Sequence, residues 1–386
     1  MSGAFPVLDI QSGWRLAPDP QPPAAACVQQ VLVMQLVDEI NGQPPDPPPA
    51  AATTTSGLTA RADANGLAGL VGTPLALFPT ALSSGATLQL TLEGPLYVQM
   101  TLATTLILPA DYPDSFVAAN LDQIALHRAP VTIVGRVVDS SDTGLAGADV
   151  AITGLWPTVA SLHNATPAPA NLVALLSPLY AARDVTATVA AASLTAAAPV
   201  KTLVKPGNVG DVSLRLSDQL GLAVGDVLAL DQQDLARGEY VSIAAITDGG
   251  VTPQGAVTVS LALPLARLHA AGAAAAPMTA TVAGPATGLA RAAQVGDVTL
   301  FPAAMAGLGA ATTAVIVSGG GPAPDELHAA SLYSASSDSA GHFVLPPLHR
   351  LAQVQLLAHH PPQTDLQSAV ILPLGAATLK LNLAMT

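Results

Sequence analysis

One phrase constrains this chain more than any other. Gly135-Arg-Val-Val-Asp-Ser-Ser-Asp-Thr-Gly-Leu-Ala-Gly-Ala-Asp-Val-Ala-Ile152 reads as an apolar strand, a polar turn and a second strand. Far downstream, Ser337-Asp-Ser-Ala-Gly-His-Phe-Val-Leu345 repeats the idea of an acidic turn followed by a strand. Strict alternation marks other segments. Thr87 to Glu93 and Tyr97 to Leu102 place apolar residues at every second position on either side of Gly94-Pro95, the pattern of half-buried antiparallel strands. The expected class is all-β.

The two phrases together resemble the opening and central hairpins of the carboxypeptidase regulatory-like domain, a transthyretin-like β-sandwich. That resemblance implies a fold and no activity, because such sandwiches serve as modules in unrelated proteins. A second, weaker copy precedes it. There, Asp63-Ala-Asn-Gly66 stands where the later module has Asp338-Ser-Ala-Gly341, and Leu67 replaces the aromatic residue.

The organisation expected is therefore tandem antiparallel β-sandwiches, the second split by a large insertion containing small β-barrel-like units. Residues 1–27 form an extended arm, since Pro18 to Pro23 withhold donors and fix φ. Residues 28–127 form the first sandwich, 128–157 and 328–386 the second, and 158–327 the insert. Val131 to Trp156 is expected to be the second sandwich's first hairpin. Loop-closure entropy grows only logarithmically, so a long insertion is tolerated if it folds by itself. Within the insert, Asn171 to Pro178 is the best helix candidate. The phrases Val209-Gly-Asp-Val-Ser-Leu214 and Val295-Gly-Asp-Val-Thr-Leu300 lie 86 residues apart and suggest two related β units. The first resembles a small Gly-Asp barrel module met in phage-like and surface proteins.

Composition excludes several functions. The net charge of −13 is scattered, and the 13 Lys and Arg form no basic stripe, so nucleic acid is not an expected partner. No apolar run is long enough to predict a membrane-spanning helix. The single Cys27 rules out an internal disulfide framework. The amino terminus shows neither a basic nor a continuous apolar region, so assembly in the cytoplasm without a signal peptide is expected, compatible with release as part of an extracellular particle.

Candidate chemistry is sparse. There is no His-Glu-x-x-His, no Gly-x-Ser-x-Gly and no phosphate-cradling glycine loop. His342, His349, His359 and His360 fall within 19 residues and could hold a metal if strands brought them together. No cysteine and few carboxylates accompany them, so ordinary turn and surface roles are favoured, and neither a metal nor a cofactor is expected. Asp63 to Gly66 resembles half a calcium loop without its remaining ligands, and reads as an Asx turn. Phe5, Trp14, Tyr112, Phe116 and Arg128 are the residue types that anchor interfaces.

The function expected is a non-catalytic structural or adaptor protein, homo-oligomeric and bound to protein partners. The modules resemble accessory parts of phage-tail-like contractile injection particles. Two alternatives stand beside it: a carbohydrate-binding or adhesive surface protein, and a metal-dependent enzyme built on the histidine cluster.

Overall fold

The computed structural model describes residues 29–53, 59–72, 86–106, 118–232, 237–248, 254–319, 324–375 and 377–386. Phe5, Trp14 and Cys27, with the rest of the expected arm, and Tyr112 and Phe116 lie outside them. Among the described residues the chain is all-β, and a single 3-10 turn, Val159–His163, is its helical content.

The first strands are β1 (Gln29–Asp38), β2 (Ala50–Thr53), β3 (Thr59–Ala62), β4 (Leu67–Gly72), β5 (Ala86–Gly94), β6 (Tyr97–Leu106) and β7 (Ala119–Leu126). They make two sheets, ordered β3-β4-β1-β7 and β2-β5-β6. Because side chains alternate across a strand, Leu32, Met34 and Leu36 of β1 meet Leu88, Leu90 and Leu92 of β5 in one buried core. The turn before β4 is held by Asp63, whose Oδ1 accepts the amides of Asn65 and Leu67 at 2.9 and 2.8 Å. Its carboxylate is used on its own backbone.

The next two strands are β8 (Val131–Val138) and β9 (Asp149–Trp156). They do not form the expected hairpin. They join different sheets, the Val138↔Gly144 bridge reaching only the loop between them, and they face each other across a core that holds Ile133 and Val137 of one and Val150 and Ile152 of the other.

The insert then runs β10 (Ala168–Pro169), β11 (Val173–Leu175), β12 (Thr188–Ala196), β13 (Lys201–Thr202), β14 (Ser213–Leu216), β15 (Val227–Leu230), β16 (Glu239–Asp248), β17 (Val257–Leu261), β18 (Ala274–Val282), β19 (Thr287–Gly288), β20 (Thr299–Leu300), β21 (Ala314–Ser318) and β22 (Glu326–Ser331). The expected helix at Asn171 to Pro178 is instead β11 and a turn. Val173, Ala174 and Leu175 are all buried between two neighbouring strands, and pairing on both sides overrides local helix propensity.

Two wrapped units emerge from this order. In the first, the ladder β14-β17-β16-β15-β18 continues to β13, and the bridge Leu203↔Leu216 returns it to β14 around a core of Leu214, Leu228, Val241 and Val259. In the second, β19-β12-β21-β22-β11-β20 is brought round by Leu289↔Pro302 over Val173, Val189, Leu300 and Val315. Each closing contact is a single bridge, so the units are barrel-like wraps and not fully hydrogen-bonded barrels.

The two units are built from the same repeat. Bridges Leu203↔Leu216 and Gly207↔His269 of the first correspond to Leu289↔Pro302 and Ala293↔Arg183 of the second, each residue 86 positions from its counterpart. The ladder joining the units has the same symmetry: β12 pairs antiparallel with β18 about Leu194↔Ala280, and Ala192↔Val282 is mirrored by Ala196↔Met278. Each unit therefore takes four strands from one repeat and two from the other. This is the reciprocal exchange of a domain-swapped dimer, held within one chain.

The chain closes with β23 (Ser334–Ser336), β24 (His342–Val344), β25 (Gln353–His359), β26 (Leu366–Ile371) and β27 (Ala377–Ala384). β24 and β27 flank β8, and β10-β9-β25-β26 faces them with β23 also on β9. The parallel β8–β27 pair repeats the parallel β1–β7 pair of the first sandwich. The turns repeat too. Asp338 Oδ1 accepts the amides of Ala340 and His342, both at 2.8 Å, as Asp63 does in its copy. Gly66 and Gly341 both have positive φ, and a Cβ would lie 2.3 Å from Leu36 O at one and 2.4 Å from Val137 O at the other. The insert is not separate from this sandwich, as loop-closure reasoning supposes, because Leu172, Ala174 and Phe301 belong to the sandwich core.

Candidate functional site: buried ion networks at the junctions

Where the modules meet, charged side chains leave the surface. The Val-Gly-Asp-Val turn before β20 carries Asp297, fully buried. Its Oδ2 accepts the Gln294 amide at 2.9 Å, an ordinary turn bond, and also pairs with Arg350 Nη1 at 2.9 Å. Its Oδ1 lies 3.2 Å from His127 Nδ1 and 3.3 Å from His349 Nε2. Glu39 closes the network, with Arg350 Nε at 3.1 Å, His127 Nε2 at 3.3 Å and Arg291 Nη2 at 3.6 Å. Arg291 and Arg350 also stack over Phe301, 4.4 and 5.6 Å from its ring centre. The residues come from the first sandwich (Glu39, His127), the insert (Arg291, Asp297) and the second sandwich (His349, Arg350).

Burial alone would push the Asp297 carboxyl up. The adjoining His127 and His349 rings and the Arg350 guanidinium outweigh it and hold the group far below the usual carboxylate range. Arg291 is lowered to about 10, by burial first and then by the Arg350 charge.

The second wrapped unit has its own buried pair. Arg183 Nη2 lies 3.3 Å from Glu326 Oε1, and both side chains are wholly buried. Glu326 also accepts the amides of Tyr180 and Ala181 at 2.9 and 2.8 Å and meets His328 Nε2 at 2.8 Å. Ser177 Oγ lies 2.9 Å from His328 Nδ1. Ser, His and Glu thus form a chain, but all three are buried and the carboxylate is engaged by two backbone amides and a guanidinium. The Ser177 hydroxyl at its head is buried with the rest, so the chain packs the interior of the unit.

The first unit repeats the device. Glu239 accepts the amides of Ala266 and Arg267 at 3.0 and 3.2 Å, and His269 occupies the place of Arg183. His269 Nε2 lies 2.7 Å from Glu239 Oε1, and Nδ1 lies 2.8 Å from Asp231 Oδ2. The Tyr180 hydroxyl donates across the unit boundary to Glu239 at 3.2 Å. Burial and then the Glu239 charge push that phenol well above its usual range.

Burial opposes protonation of His269, yet hydrogen bonds to Glu239 and Asp231 raise its pKa above the ordinary 6.5. The linkage sign follows. A raised folded value stabilises fully below about pH 6.5, and the contribution is lost as pH rises through that folded value. Amide protection in β15 to β18, relative to intrinsic exchange at each pH, is therefore expected to fall on the alkaline side, and His269→Gln should remove that dependence. Identical pH profiles in the two proteins would refute this assignment.

The residues singled out from sequence are dispersed. His349 is buried against Asp297, whereas exposed His342 sits 3.6 Å from Asp338 and exposed His359 2.6 Å from Asp365. His360 Nδ1 lies 2.7 Å from Gln363 Oε1. Among the described residues no group of three or more His, Cys, Asp or Glu is placed to hold a metal ion. Arg128 binds within the first sandwich: its Nε donates to Asp38 Oδ2 at 2.8 Å, beside the Tyr97 hydroxyl at 3.2 Å. Sequence reasoning missed Glu39, Arg183, Glu239, His269 and Glu326. Asp297 lies in the repeated Val-Gly-Asp-Val phrase, the one sequence signal that touches this network.

One cavity of about 270 Å³ lies between the second sandwich and the insert, lined chiefly by Ile152, Leu172, Met305, Leu332 and Tyr333. Its apolar walls present no converging charged groups. No helix among the described residues is long and apolar enough to cross a membrane.

No family model and no curated protein matches this chain. Among solved structures it is similar to the Bacillus anthracis TIE protein at 8% identity, covering 93% of this chain and 51% of that one, with a TM-score of 0.19. It is also similar to BcpA, the major pilin subunit of Bacillus cereus, at 8% identity, covering 93% of this chain and 99% of that one, again with a TM-score of 0.19. The chain thus spans about half the length of the TIE protein. Likeness at this level carries nothing about activity or partners.

Proposed function

We propose that this chain is a non-catalytic structural protein whose β modules are locked in one arrangement, and that it serves as a component of a larger protein assembly. The observation that carries this reading is the Asp297 network, which draws charged residues from three modules into one buried cluster. Burying charge is costly unless every group is paired, so such a cluster specifies one geometry between modules more than it adds stability. The other buried carboxylates, Glu239 and Glu326, are likewise spent on backbone amides and cations.

The finer reading follows the resemblances. Carboxypeptidase regulatory-like sandwiches suit a spacer or adaptor, and an accessory part of a contractile injection particle is the assembly we favour. Small-angle scattering of the full chain tests the rigid-module reading. A single arrangement should fit the wild-type curve, and Arg350→Ala should require a broadened ensemble. A wild-type curve that already needs an ensemble, or a stoichiometric transition metal in the purified protein, would overturn it.

A further inference from the structure

The two wrapped units are equivalent, yet among the described residues only one has its turn face covered. In the second unit, Arg291 and Asp297 are satisfied by Glu39 and Arg350 of the sandwiches, and a Cβ on Gly296 would sit 2.7 Å from Val98 Cγ1. Eighty-six residues earlier stand Lys205, Asp211 and Gly210, and nothing lies within 4 Å of a Cβ placed on Gly210. Asp211 makes the same turn bond, accepting the Asn208 amide at 2.7 Å. Lys205 and Asp211 have no salt bridge among the described residues. Since their counterparts converge on one network, these two charges lie on one face. Val209 and Val212, 65% and 59% exposed, belong to the same turn.

The chemistry selects the occupant. Where the second sandwich covers Phe301, Leu172 and Ala174, the first unit has Arg215, Thr258 and Ser260, with Arg215 donating to Thr258 at 3.1 Å. An apolar sandwich core cannot close over those groups. What remains is a small apolar turn bearing one cation and one anion, which is self-complementary: turned by a two-fold, Lys205 of one copy meets Asp211 of the other, and the reverse. We propose that this turn face, formed by Lys205, Val209, Gly210, Asp211 and Val212, is the interface through which two copies of this chain associate. The inference deepens the assembly reading above and rests on it.

Sedimentation velocity on the full chain at up to about 1 mM, a range that reveals weak dimers, tests it. The expected result is a dimer that weakens with salt. Lys205→Asp and Asp211→Lys should each weaken self-association by about tenfold or more, since each places two like-charge pairs in a symmetric contact. Mixing the two variants should restore dimerisation, because both contacts then become opposite-charge pairs. Asp211 also holds its turn, so Val209→Glu provides a second disruption that leaves the turn bond in place, and melting curves establish that each variant is folded. A chain monomeric throughout, or a dimer indifferent to Lys205→Asp and Val209→Glu, would overturn the interface. Either outcome leaves the scattering test of rigid modules standing on its own.

Discussion

Substituting Asp297 with asparagine is expected to unfasten the three modules and to cost about 3–5 kcal/mol, the range for removing one partner of a buried ion pair. The neutral amide would leave Arg350, and the His127 and His349 rings beside it, without the carboxylate they surround. Glu39 would still hold Arg350, which argues for the lower half of that range. The pH dependence has a definite sign. A carboxyl held far below its unfolded value of about 4 stabilises fully above that pH and loses its contribution as pH falls toward the folded value. Acid titration followed by amide exchange in β20 and β24 should therefore show an acid limb in the wild type that Asp297→Asn lacks. Equal protection of the two proteins at neutral pH would mean that the network is ornamental.

Glu326→Ala is expected to be comparably severe, and confined to the second wrapped unit. It removes the carboxylate facing wholly buried Arg183, and with it the acceptor for the Tyr180 and Ala181 amides. The orphaned charge contributes about 3–5 kcal/mol, and each stranded amide about 1–3 kcal/mol where water cannot reach it. Two contacts moderate the loss, because Arg183 also donates to Gly319 O and Pro324 O, each at 2.6 Å. Exchange rates should rise across β11, β12, β21 and β22 while β25 stays protected. An Arg183→Leu, Glu326→Met double variant should recover much of the loss, since paired apolar groups avoid the stranded charge. A double variant as unstable as Glu326→Ala would show that the amide contacts, and not the ion pair, carry the effect.

Much of the framework can be read from residues alone. Period-two alternation from Thr87 to Leu102 specifies a paired, half-buried β5 and β6, and that is how they fold. Asp-x-x-Gly turns at Asp63 and Asp338 declare themselves because the carboxylate bonds backbone amides two and four residues on, a local event. Local chemistry misled at Asn171 to Pro178. That stretch looks helical by itself, but Val173 to Leu175 lie between strands that begin more than a hundred residues later.

The sequence by itself determined the paired strands β5 and β6, the Asp63 and Asp338 turns and the 86-residue repeat, because each depends on residues within one hairpin or on direct comparison of two phrases. Tertiary structure alone decided that the repeats exchange strands about Leu194↔Ala280, and that one Val-Gly-Asp-Val turn is buried in charge while its twin meets no such cover among the described residues. The physical reason is range. Which carboxylate becomes a lock depends on partners far along the chain, from His127 to Arg350, brought near by sheet topology, and no local pattern encodes that meeting.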